Sequence, residues 1–214
     1  MSGCCPPNVY GEFFDEKLAR KDAERYRDKG LAGASKRLVE LVARQGIEGA
    51  TLLEIGGGTG TLQIELLGRG AERATNFELS PGYERQAKRL LEERGLAGRV
   101  DRRVGDVAQE PELAPPADVV LLHRVVCCYL DYESLLTTAA AKAQRLLAFS
   151  YPPDVAVARL LVRVLNLWLR VRGSDFRSYV HPEQAMLEAV ERNGFRLVTA
   201  ERAGTWRIAL FERA

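Results

Sequence analysis

Thr51-Leu52-Leu53-Glu54-Ile55-Gly56-Gly57-Gly58-Thr59-Gly60 is a short apolar run that ends in glycines, and a helical segment follows it directly. Glycine has no Cβ and tolerates positive φ, so a strand that breaks into three glycines before a helix lets the backbone pass close to a ligand. The spacing narrows the ligand. A dinucleotide fingerprint, G-x-G-x-x-G, would need a third glycine where Thr61 stands, which disfavours a nicotinamide oxidoreductase. The chain spells Glu54-x-Gly56-x-Gly58-x-Gly60 instead.

Working outward, short apolar runs alternate with helical segments, each run bounded by Gly, Pro or Asp, which is the rhythm of βαβ units and a parallel sheet. Strands are expected at about 51–55, 74–79, 99–104, 117–123 and 145–150. The closing runs, Phe195–Arg202 and Trp206–Glu212, are separated only by Ala203-Gly204-Thr205 and should pair as an antiparallel hairpin. Before the first strand, residues 9–46 read as helical, with Phe13, Phe14, Leu18, Leu38, Leu41 and Val42 spaced between charges. The expectation is one α/β domain over residues 1–214. Within it, 1–46 form a helical lid, and 47–214 form the core with an apolar cap helix at about 154–172.

With 214 residues, 46% of them hydrophobic, the chain can bury one good core. Its 31 basic and 29 acidic side chains nearly cancel, so charge gives no support to a nucleic-acid partner. Met1-Ser2-Gly3-Cys4-Cys5-Pro6-Pro7 has no basic start leading into an apolar run, and a cytoplasmic location is expected. Cysteines occur as the adjacent pairs Cys4-Cys5 and Cys127-Cys128, which is neither a disulfide framework nor a C-x-x-C metal motif. No metal site is expected from them, and no oligomeric state follows from the sequence.

Acidic residues recur at the ends of the expected strands. Glu78 lies 18 residues beyond Gly60, Asp106 follows the third strand, and His123 ends the fourth. In open α/β sheets ligands bind at these carboxyl ends, and a carboxylate after the second strand suits ribose hydroxyls.

Together, Glu54, Gly56, Gly58, Gly60, Glu78 and Gly105-Asp106-Val107 resemble the motifs of class I S-adenosylmethionine-dependent methyltransferases. The resemblance implies a Rossmann-like three-layer methyltransferase sandwich: a mostly parallel, seven-stranded sheet ending in the antiparallel hairpin. It also implies S-adenosylmethionine as cofactor. Glu54 would reach the methionine amine through backbone or water, and Gly56 and Gly58 would let the chain pass beside the methionine moiety, with Gly57 and Gly60 also at the cofactor. Glu78 would hold the ribose hydroxyls and Asp106 the adenine amino group, with Leu79, Val107 and His123 also at the cofactor. Acidic side chains suit a sulfonium that also carries an ammonium group.

A partial, closer resemblance is to the magnesium-protoporphyrin O-methyltransferases, from the glycine turn to the C-terminus, including Ser178-Tyr179-Val180-His181-Pro182-Glu183. Where that family has a His-Tyr pair, this chain has Cys128-Tyr129.

Methyl transfer is an in-line displacement that needs alignment and at most the removal of one proton. His123 is the candidate base, against the plainer reading that it bonds a neighbouring loop. Tyr26 is the candidate cover over the cofactor from the leading helices. The segment Asp154–Arg172 sets Arg159, Arg163, Asn166 and Arg170 in one narrow polar stripe on an otherwise apolar helix. A core helix, a substrate cap and a peripheral membrane contact through 154–172 all fit it, but it is too charged to span a bilayer. The expected function is O-methylation of a small hydrophobic or aromatic acceptor, anchored by Arg124, Arg159 or Arg177 if anionic. A non-catalytic adenosyl-binding module and a nucleic-acid methyltransferase are the alternatives.

Overall fold

The computed structural model describes residues 7–214, so the Cys4-Cys5 pair lies outside the described residues. Strand β1 (Thr51–Ile55) stands at the middle of a seven-stranded sheet, with β2 (Arg73–Glu78) and β3 (Val100–Val104) on one side. On its other side lie β4 (Ala117–His123), β5 (Ala143–Tyr151), β7 (Trp206–Arg213) and β6 (Phe195–Ala203). The order is β3-β2-β1-β4-β5-β7-β6, and β3 and β6 form the edges. β7 runs antiparallel to β5 and β6, while the other pairings are parallel. The chain therefore moves outward from β1 in one direction, then restarts on the opposite side with β4. This reversal opens a crevice at the carboxyl ends of β1 and β4, where α/β sheets bind ligands.

Strand periodicity divides the core into two layers. Leu52, Val119 and Leu121 face one way and pack with Leu38, Val42, Leu66 and Leu90. These come from α3 (Gly33–Ala43), α4 (Thr61–Leu67) and α5 (Glu84–Glu93). Leu53, Val120 and Leu122 face the other way and pack with Leu136 and Val190, on α6 (Tyr132–Lys142) and α8 (Glu183–Glu191). Adjacent leucines and valines on one strand thus feed opposite cores, which explains why the central strands read as unbroken apolar runs.

The leading helical region is three helices: α1 (Pro7–Phe13), α2 (Glu16–Lys29) and α3. Asp15 ends the first break by accepting a hydrogen bond from Leu18 N at 2.8 Å, and Gly30 makes the second at φ 65°.

Helix α7 (Ala156–Val171) lies where a helix was expected, but it does not pack as a core helix. Leu169 is its one buried residue, and most of its large apolar side chains face outward. No helix of the described residues is long and apolar enough to cross a membrane.

Candidate active site

The glycine turn is shaped by both torsion and space. Gly56, Gly58 and Gly60 have φ of 65°, 54° and 77°, the left-handed region that side chains disfavour. A Cβ on Gly56 would lie 2.5 Å from Val125 Cγ2, and one on Gly58 would lie 3.2 Å from the Tyr83 ring. Gly60 caps α4 at its N-terminus, and Gly56 N donates to Phe77 O at 2.7 Å, which ties the turn to β2.

A cavity of about 610 Å³ lies over this turn at the crevice between β1 and β4. Glu54, Gly56–Gly58, Glu78, Leu79, Asp106, Val107 and His123 all line it, so the structure brings together nearly every residue singled out from the sequence. Gly60 is not among the wall residues; its part is the helix cap.

The carboxylates are held in distinct ways. Glu78 Oε2 accepts from Gly58 N at 2.8 Å and Oε1 from Ser80 N at 3.0 Å, fixing the side chain while leaving further lone pairs. Burial raises its pKa, and the two backbone donors pull it back. Asp106 accepts from Ala108 N at 3.0 Å and from the Tyr129 hydroxyl at 3.0 Å. Glu54 is fully buried, and desolvation pushes its pKa up to about 8 against the opposing pull of Arg102. Arg102 reaches from β3 beneath the turn, donating to Gly58 O at 2.8 Å and pairing with Glu84 at 2.8 Å. The turn itself contains no cation, yet one supports it from below, which spacing along the chain does not reveal.

His123 stands in the wall with both ring nitrogens engaged: Nδ1 with Ser150 Oγ at 2.8 Å and Nε2 with Ser35 Oγ at 2.9 Å. Ser150 Oγ also accepts from Arg124 N at 2.9 Å, and in either tautomer of the ring one serine donates to His123 while the other accepts from it. Burial, with Arg124 beside it, lowers the pKa of His123 to about 3. The ring is neutral and offers no open lone pair. Arg124, with φ 60°, has the one positive φ outside glycine among the described residues, and its guanidinium lies over the Trp206 ring at 5.0 Å.

The cavity's roof comes from the leading helices, through Tyr10, Phe14, Leu18, Asp22 and Tyr26 among others. Tyr26 lines the wall, and its hydroxyl donates to Glu65 Oε1 on α4 at 2.8 Å. Burial and the Glu65 carboxylate raise the Tyr26 pKa above its ordinary value. Arg27 forms two bonds to Glu93 on α5, at 2.7 and 2.9 Å, and the Tyr83 hydroxyl donates to Asp22 at 3.1 Å. Arg25, Lys29 and Arg124 also reach the cavity. Arg159, paired with Asp154, and Arg177, bonded to Ser174 O and Phe176 O, do not line it, and no α7 side chain does either.

Behind Cys128, His181 Nε2 lies 3.1 Å from Val126 O and 2.9 Å from Tyr129 O. It donates to both carbonyls and pins the turn after β4. Cys127 and Cys128 are unbridged, with their sulfurs 3.7 Å apart, and Cys128 lines the cavity.

A family model described as a methyltransferase domain matches residues 23–200. No curated protein matches the sequence. Among solved structures, magnesium protoporphyrin IX methyltransferase from Synechocystis PCC 6803 with bound SAH is 20% identical, with a TM-score of 0.76 over 98% of this chain and 100% of that one. An O-methyltransferase family 2 protein from Planctomyces limnophilus DSM 3776, in complex with apigenin, is 19% identical with a TM-score of 0.70, over 93% of this chain and 62% of that one. The [4+2]-cyclase SpnF is 16% identical with a TM-score of 0.72, over 100% of this chain and 99% of that one. At these identities the structures speak for the fold, a Rossmann-like methyltransferase sheet. The family model, spanning most of the sequence, carries the assignment: the chain belongs to the methyltransferase-domain family.

Proposed function

We propose that the protein transfers a methyl group from S-adenosylmethionine to an oxygen of a small, apolar or aromatic acceptor. The observation that carries this reading is the convergence of Glu54, Glu78 and Asp106 with a side-chain-free glycine turn around one cavity. The cradle fits an adenosyl group, because a Cβ at Gly56 or Gly58 would crowd the turn, and the carboxylates answer its hydroxyls, amino groups and positive charge. When bound, the cofactor supplies a methyl carbon made electrophilic by its sulfonium.

In this reading Glu78 holds the ribose hydroxyls, with Leu79 beside it, and Asp106, steadied by Tyr129, meets the adenine edge next to Val107. Glu54, neutral beneath the turn, gives up its proton as the cationic ligand binds above it. His123 positions the wall as a neutral ring between Ser35 and Ser150, and Tyr26 closes the roof. α1 and α2 act as the lid, and they exclude water from the reacting groups. Arg124, Arg25 and Lys29 favour an acceptor that carries a carboxylate or phenolate.

Calorimetry and thermal shift with S-adenosylmethionine, S-adenosylhomocysteine and NAD test the site. A ligand at 100 times its Kd should stabilise the fold by about 2.7 kcal/mol. Both adenosyl ligands are expected to bind, and Glu78→Ala to weaken them by at least tenfold. A folded protein that binds neither would overturn the proposal. A second reading, adenosyl binding without transfer, is favoured by the engagement of both His123 nitrogens. Formation of S-adenosylhomocysteine with hydroxyaromatic carboxylates would decide for transfer, and tight binding with no turnover on them or on RNA would decide for the second reading.

A further inference from the structure

We infer that the outward face of α7 is an anchor that seats the protein on the surface of an anionic membrane. This is separate from the transfer chemistry and stands on the helix alone.

Leu160, Leu161, Val164, Leu167, Trp168 and Val171 lie on one side of α7 and face solvent, with Leu160, Leu167 and Val171 60%, 63% and 79% exposed. A contiguous apolar patch of this kind marks an interaction surface. Beside it runs the row Arg159, Arg163 and Arg170, and the helix contains no Asp or Glu. Arg159 pairs with Asp154, while Arg163 and Arg170 have no carboxylate partner among the described residues. Leucines with an interfacial tryptophan on one face and arginines along its flank form the pattern of a helix lying in the headgroup plane. At 16 residues it is too short to cross.

The inner side of α7 holds this orientation. Asn166 Nδ2 donates to Ser178 O at 2.8 Å, and Ser178 N donates back to Asn166 Oδ1 at 2.9 Å. Leu169 packs into the cluster of Val9, Tyr10 and Phe176, against which Phe14 and Cys128 also pack. Tyr10, Phe14 and Cys128 are walls of the cavity as well. The anchor thus adjoins the roof of the site, so an acceptor dissolved in the bilayer would meet the protein beside its lid. Charge selects lipid over a second copy of the chain. Two α7 faces brought together would set the unpaired Arg163 and Arg170 of each copy against each other with no acid on the helix, whereas anionic headgroups complement both.

The test uses the full chain with Trp206→Phe, which leaves Trp168 as the single tryptophan, because the sequence has two. Phosphatidylglycerol vesicles should sediment the protein and shift Trp168 emission to the blue. Phosphatidylcholine vesicles should do so at least tenfold more weakly, and about 0.5 M salt should release the protein. Leu160→Asp with Leu167→Asp should abolish binding. Arg163→Glu with Arg170→Glu should weaken it roughly tenfold or more while the apolar face stays intact. Circular dichroism unfolding, unchanged in both solvent-facing double variants, keeps folding out of the comparison. Absence of binding to either vesicle, equal binding to both, or a Trp168 already blue-shifted in a lipid-free dimer seen by light scattering would each overturn the inference.

Discussion

A histidine whose two nitrogens already bond to serines has little to offer as a base. With its pKa held at about 3, His123 stays neutral throughout the working range, so the rate of transfer should show no limb near pH 6.5. His123→Asn should keep at least a tenth of the activity. A titration limb between pH 5 and 8 that vanishes in this variant would restore the catalytic role. Glu54 behaves in the opposite way: at about 8 it holds its proton at neutral pH. Binding of a cationic ligand above it should drive that proton off. Calorimetry in buffers of different ionisation enthalpy should then show proton release at pH 7, absent in Glu54→Gln. The positions of Glu54, Glu78 and Asp106 could be read in the sequence because each sits at, or just beyond, the carboxyl end of a strand. The engagement of His123 could not, because Ser35 lies 88 residues away and meets it only through the packing of α3.

The turn between β1 and α4 was legible because its requirement is local, and it carries a local prediction. Gly56→Ala would meet both the positive φ and Val125, and should cost roughly 1–3 kcal/mol in a denaturant titration. The leading helices were legible as helical, but their attachment was not, since Tyr26–Glu65, Arg27–Glu93 and Asp22–Tyr83 each join residues distant in the chain. Tyr26→Phe removes one tie and should destabilise by about 1 kcal/mol, with faster hydrogen exchange confined to α2. Uniformly faster exchange would show instead that Tyr26 supports the whole core. For α7, periodicity disclosed a polar stripe and an apolar remainder, which describes a helix without saying which side is covered. Its neighbours decide that, and they cover only Leu169 and its immediate surroundings.

For the molecule as a whole, the buried ionisable groups set a pH window of stability. Above about pH 6.5 the histidines are neutral in both folded and unfolded chains, so the carboxyls dominate. Glu54 has a raised folded pKa, hence its contribution is whole below about pH 4.5 and is lost as pH rises through about 8. Between pH 6.5 and 8 the loss from Glu54 should be roughly 2 kcal/mol. His123, with a lowered pKa, opposes this on the acid side: its contribution is whole above about pH 6.5 and falls toward about 3. A stability maximum near pH 5–6 follows. Glu54→Gln should flatten the alkaline decline, and an unchanged decline would show that Glu54 does not cause it.

The same sheet is found in magnesium protoporphyrin IX methyltransferase and in the [4+2]-cyclase SpnF, so the fold alone does not fix the chemistry and the cavity must. That cavity is roofed by helices tied down at three points, and under the proposed function the roof would govern the timing of the cycle. A spent adenosyl product would then leave only after those ties part, so the first turnover is expected to outrun the ones that follow. Rapid-mixing kinetics would then show an initial burst of product, with the steady rate set by the opening of the roof.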